Sequence, residues 1–258
     1  MLPTILSRKS ATDAKCRSVL WKKLPIVKTK ISVILFLLIS FADLVGEVCN
    51  VHILGIIAKP LIIPSLSLYF LRKTGKTAAD RKSVLLALLF SWIGDIALMI
   101  HGDFFFLGGL LSFLTAHIFY ISIFHTQRKR MAAKSCLAGK PWLFLPFALY
   151  GAVLYRIVFP NLSGILYLAV ALYAAVILIM SLAALNRKNA GSNKSFRLVF
   201  IGSLLFVISD TLLAVNSFVH TFAHAGFLIM VTYIAAQALI VSGLTEMESE
   251  APAGTGYV

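Results

Sequence analysis

A chain of 258 residues that is 59% hydrophobic and only 13% charged cannot surround a soluble core with polar surface, for soluble domains carry about 25% charge. Its net charge of +14 would suit a nucleic-acid partner, but the placement of the basic residues described below excludes that reading. The composition predicts an all-α polytopic membrane helix bundle.

Residues 1–30 are basic, lack an apolar h-region and a small-residue cleavage site, and read as a cytoplasmic tail. Eight apolar blocks follow, each about 17 to 22 residues long, enough to cross a hydrocarbon layer of roughly 30 Å. They are Ile31–Val48, Val51–Leu71, Val84–Ile100, Phe104–His125, Trp142–Phe159, Gly164–Leu185, Leu198–Phe218 and Ala225–Thr245. Residues 31–245 thus form one transmembrane domain, and residues 246–258 a short tail bearing Glu246, Glu248 and Glu250.

Eight Lys and Arg precede Ile31, five lie between the second and third blocks, five between the fourth and fifth, and four between the sixth and seventh. Only Lys59 and Arg156 fall elsewhere. Basic residues are retained on the cytoplasmic side, so alternate loops and both termini are expected there, with the loops touching anionic lipid headgroups. Such a protein sits in the inner membrane of a bacterium or the endoplasmic reticulum of a eukaryote. Cys16, Cys49 and Cys136 form no CxxC pair, which argues against a disulfide or thiolate site. His220 and His224 have i, i+4 spacing but no third ligand nearby, so no metal and no cofactor are expected.

Charged groups at the bilayer centre cost at least ~2.5 kcal/mol each and need a reason. The exceptions are Asp43, Glu47, Lys59, Asp95 and Asp210. At ~1.5 Å rise per residue, Asp43, Lys59, Asp95 and Asp210 fall at one depth, roughly 16 to 20 Å from the cytoplasmic end. Tyr233 shares that layer, with His117 and Gln237 nearer the cytoplasm. Glu47 and His52 reach the outer rim and can snorkel. Three carboxyls and one ammonium cannot all ionise cheaply, and a carboxylic acid beside a carboxylate is what acid–base chemistry uses. The plainer reading is that the groups pair and hold the bundle together. Two further classes share the pattern: a proton-coupled transporter or lipid-handling protein, and a membrane scaffold. No internal repeat supports the transporter, and the scaffold does not explain the shared layer. Pro60 and Pro64 read as a kink, and Gly108 and Gly109 as close helix packing.

The same positions carry a resemblance. Lys59-Pro60, Gly94-Asp95, the string Phe106, Gly108, Phe113, His117 and Tyr120, then Tyr173, then Gly202, Phe206, Ser209-Asp210 and Asn216, then Tyr233 and Gln237, are together similar to the lysoplasmalogenase family over residues 52–243. The resemblance implies hydrolysis of the vinyl-ether bond of a lysophospholipid within the bilayer, releasing a fatty aldehyde and glycerophospho-ethanolamine or -choline. Proton delivery to the β-carbon of a vinyl ether creates an oxocarbenium-like cation, which water converts to a hemiacetal and then to the aldehyde. That chemistry wants one carboxylic acid and one carboxylate, for which Asp95 and Asp210 are the candidates. Lys59, His117, Tyr120, Ser209, Tyr233 and Gln237 are expected to bind substrate or support the pair.

Overall fold

The computed structural model describes residues 29–74 and 78–250, with the side chains of 248–250 excluded. Most of the basic N-terminal tail, Lys76 and residues 251–258 of the acidic tail lie outside the described residues. Every regular element among those described is helical: α1 Thr29–Cys49, α2 His52–Lys73, α3 Arg81–Leu98, α4 Asp103–Arg130, a single turn α5 Cys136–Gly139, α6 Phe144–Val158, α7 Leu166–Leu185, α8 Asn193–Phe218 and α9 Ala225–Glu250. Short 3₁₀ turns extend α6 at both ends, giving a rod over Pro141–Asn161. Seven of the helices are long and apolar enough to cross a membrane. The eighth expected span is α3, whose 18 residues include Arg81, Lys82 and Asp95. The protein is an integral, multi-pass membrane protein.

Only two residues separate α1 from α2. Asn50 takes a left-handed conformation at φ 54°, and the Val51 amide reaches back to the Gly46 carbonyl at 2.9 Å. That is a Schellman-type stop, with Asn in the role glycine usually plays. Within α2, Pro64 has no N–H to give the Pro60 carbonyl. Trp92 of α3 fills the gap, donating its indole N–H to Pro60 at 2.7 Å. The proline that interrupts one helix thereby ties it to the next.

Lipid tails are as apolar as leucine, so close packing rather than water exclusion joins these helices. α8 and α9 approach at Gly202, where a Cβ would stand 2.9 Å from the Ala236 carbonyl oxygen. Ile62 and Leu66 of α2, Leu88 of α3, Phe124 of α4, Met180 of α7, Phe206 of α8 and Ile240 of α9 fill the interior. Leu37, Leu38 and Phe41 of α1 and Leu145 and Leu149 of α6 point outward, as lipid-facing residues do. α6 lies at the periphery, with Val158 its only buried residue.

A polar clasp holds the end of the bundle that carries the basic loops. Asp80 accepts from Gln127 Nε2 at 2.7 Å and from Arg130 at 3.2 Å. Arg187, fully buried, lies over the Phe124 ring at 5.5 Å and donates to Ser195 Oγ at 3.3 Å. Ser195 in turn donates to the Gly243 carbonyl at 2.7 Å. Burial pushes the Arg187 guanidinium down to about 10, and the Asp80 charge opposes that shift.

Candidate active site

Two i, i+4 pairs face each other across the bundle. Ser91 and Asp95 lie one turn apart on α3, and Tyr233 and Gln237 one turn apart on α9. Tyr233 donates to Asp95 Oδ2 at 2.8 Å, and Gln237 Nε2 donates to Ser91 Oγ at 3.0 Å. The order of the pairing makes the helices antiparallel. Tyr120 of α4 completes the ladder, donating to Gln237 Oε1 at 2.8 Å. Every member is buried, so each polar group has its partner where an unmet one would be costly.

Asp210 heads a second cluster. Tyr173 of α7 donates its hydroxyl to Asp210 Oδ2 in a short hydrogen bond. Phe113, Phe206 and His117 link the two clusters by ring contacts. The Tyr233 ring meets Phe113 and Phe206 edge-on at 5.8 and 5.5 Å, and His117 meets Phe206 and Tyr173 at 4.7 and 5.5 Å. His117 Nδ1 lies 2.5 Å from the Phe113 carbonyl, which fixes it as the donor nitrogen. Its Nε2 then presents a lone pair, buried and without a partner among the described residues. Gly94, beside Asp95, leaves room for the Phe113 ring, which any side chain there would strike.

The candidates expected from sequence divide accordingly. Asp95, Tyr233, Gln237 and Tyr120 form one network, and Asp210 and His117 meet through Tyr173. Lys59 is half-buried on α2. Ser209 turns away: it donates to the Ile229 carbonyl at 3.0 Å and stitches α8 to α9. Tyr173 and Ser91 are partners that the sequence reading does not single out for the site. Tyr173 is one of the residues that carry the resemblance, but Tyr167 and Ser181 offer hydroxyls in the same span; Ser91 has no comparable signal.

A groove of about 300 Å³ runs between α6 and α7 past Phe147, Gly151, Ala171 and Ala175. Small residues on the facing helices leave it open. It shares Tyr155, Ala174 and Leu178 with a cavity of about 40 Å³ whose wall includes Tyr173, Asp210 and Thr211. Both are lined mainly by apolar residues, with the Asp210 carboxyl and the Tyr173 and Thr211 hydroxyls at the smaller one. Among the described residues no cluster of three His, Cys, Asp or Glu could hold a metal.

Comparison with known proteins points the same way. The model of the YhhN family matches residues 54–244. The chain is 33% identical over 172 residues to lysoplasmalogenase TMEM86A of Homo sapiens, covering 66% of this chain and 67% of that protein. It is 31% identical over 179 residues to lysoplasmalogenase TMEM86B of Sus scrofa, covering 69% and 70%. No solved structure matches. The resemblance drawn from spaced motifs over residues 52–243 is borne out.

Proposed function

The chain belongs to the YhhN family, and on that premise we propose that it hydrolyses the vinyl-ether bond of lysoplasmalogens by intramembrane acid–base chemistry. The observation that carries the proposal is the pair of carboxyls, Asp95 and Asp210, each held by a tyrosine hydroxyl from another helix, with Asp210 on the wall of a small cavity beside the apolar α6–α7 groove.

The alkenyl chain lies in the α6–α7 groove, which brings its vinyl ether to Asp210. One carboxylic acid of the pair protonates the β-carbon, and the electron pair of the double bond forms the new C–H bond. The other, as carboxylate, steadies the cation on the α-carbon and takes a proton from the water that adds there. The hemiacetal then collapses: its hydroxyl proton passes to the carboxylate left by the first step, the second carboxyl gives its proton to the leaving glycerol oxygen as the C–O bond breaks, and aldehyde and a free glycerol hydroxyl result with the pair restored. The two carboxyls act as one titrating unit, so acid and base are assigned to the pair. The free lone pair of His117 Nε2 orients the water. Lys59 approaches the phosphate, and Tyr120, Tyr233 and Gln237 position the pair and the glycerol backbone.

The proposed orientation places both termini and the basic loops in the cytoplasm, against anionic headgroups. Cysteine accessibility at Lys134 and Asn189 reads cytoplasmic in this arrangement, and an external reading at either contradicts it. The activity itself is tested by offering purified protein a lysoplasmalogen and its ester-linked counterpart. Aldehyde release from the first and none from the second is expected; no release from either overturns the reading.

A further inference from the structure

α1 and α2 are joined by a short turn at one end and leave a cavity of about 640 Å³ between them at the other, the end that carries the basic loops. That volume lies within the range of about 300–1,000 Å³ usual for small-molecule sites. One face of each helix forms the walls. Lys30, Val33 and Ile34 of α1 stand at i, i+3 and i+4, and Tyr69, Arg72 and Lys73 of α2 repeat that spacing. No lining residue is acidic. Arg72 is fixed by a bond from Nη1 to Ser32 Oγ at 2.8 Å, and Ser32 is fully buried. Lys30 and Lys73 are exposed and meet no hydrogen-bond or ion-pair partner among the described residues.

Cations in the last turn of α2 suit the negative end of its dipole, which accounts for Arg72 and Lys73. It does not account for Lys30, which α1 brings to the same cavity in its first described turn. Three like charges around one cavity repel each other unless an anion lies among them. The chain ahead of Thr29 does not supply that anion, for it carries seven Lys and Arg against one Asp. One turn further along α1, Val33 and Ile34 are exposed and begin an apolar stripe that Leu37, Leu38 and Phe41 continue. An occupant therefore meets cations at one end and a lipid-facing stripe next to them.

We propose that this cavity binds one anionic glycerophospholipid, its phosphate among Lys30, Arg72 and Lys73 and an acyl chain along Ile34, Leu38 and Phe41 of α1. Basic pockets between membrane helices hold lipid headgroups in this way. The inference deepens the headgroup contact proposed for the basic loops by giving it one cavity, and rests on that contact for the class of ligand. It is independent of the proposed hydrolysis. None of the residues around this cavity lines the α6–α7 groove or the cavity at Asp210, and Arg72 lies about 20 Å along α2 from Lys59.

The test titrates the purified full chain in detergent with dioleoyl phosphatidic acid and with dioleoyl phosphatidylcholine, counting bound lipids by native mass spectrometry. One phosphatidic acid per chain should bind about tenfold or more tightly than phosphatidylcholine. The double variant Lys30→Gln/Lys73→Gln should weaken it about tenfold, whereas Lys129→Gln/Lys134→Gln, with the same loss of charge outside the cavity, should stay within about twofold of the parent. Arg72 is left in place because its bond to Ser32 joins the two helices. Thermal unfolding checks that each variant is folded, and Ile34→Glu, which sets a carboxylate beside the phosphate, reads the same loss should the lysine pair not fold. Equal losses in both double variants overturn the site and leave only the diffuse contact of the basic loops. Loss in neither overturns the site and that contact together, as does binding without preference for phosphatidic acid. Displacement of the lipid by millimolar inorganic phosphate would make this a free-anion site and overturn the lipid assignment. Aldehyde release plays no part in the readout, so these outcomes are separate from the fate of the hydrolysis.

Discussion

The hydroxyl of Tyr233 on α9 donates to the carboxyl of Asp95 on α3 at 2.8 Å, joining residues 138 positions apart in the chain. Its ring also packs edge-on against Phe113 and Phe206, which holds the hydroxyl in place against the carboxyl.

Tyr233→Phe keeps the ring and removes only the donor. A hydrogen bond to a charged group contributes about 1.5–3 kcal/mol, so kcat should fall by ~10-fold or more while KM moves little. Rates with parental values in a folded variant contradict the positioning role.

The groove makes a prediction about chain length. Gly151 of α6 faces Leu178 across it. Gly151→Leu should raise KM for a long alkenyl chain about tenfold, equivalent to ~1.4 kcal/mol, and leave a short-chain substrate within about twofold. An equal loss for both lengths would place the chain elsewhere.

The clasp predicts a stability defect far from the chemistry. Asp80→Asn removes the carboxylate charge that Arg130 and Gln127 meet, and breaking a buried pair costs about 3–5 kcal/mol in comparable cases. Thermal unfolding in detergent should show it as a clear drop in midpoint, and an unchanged midpoint contradicts the account of the clasp.

Much of this architecture is written in the sequence because lipid imposes one rule: a span must be apolar throughout and long enough. The eight apolar blocks each contain a long helix. The helix ends were less legible. α4 runs on to Arg130, α8 starts at Asn193 behind the Ser192 cap, and α9 continues past Glu246, which Lys194 meets at 2.8 Å. Apolarity stops at the interface, whereas backbone hydrogen bonding does not. For the site, the cost of burying charge singled out Asp95 and Asp210. Which hydroxyl would meet each carboxyl depends on how the helices are rotated about their axes. Depth along a helix says nothing of rotation, so the bond from Tyr173 to Asp210 and the turn of Ser209 toward α9 stayed hidden.

The central claim is that Asp95 and Asp210 act as one acid–carboxylate unit, and aldehyde release by their Asn variants tests it most directly. Each substitution preserves size and removes either the proton or the charge. Because general acid–base steps contribute ~10²–10⁴-fold, each single variant should lose at least ~10²-fold in kcat. The double variant should lose little more, since groups acting as a unit are strongly non-additive. Folding is checked by thermal unfolding in the same detergent. A folded Asp95→Asn or Asp210→Asn protein that releases aldehyde at near-parental rate contradicts the account, and losses that simply multiply in the double variant contradict the pairing.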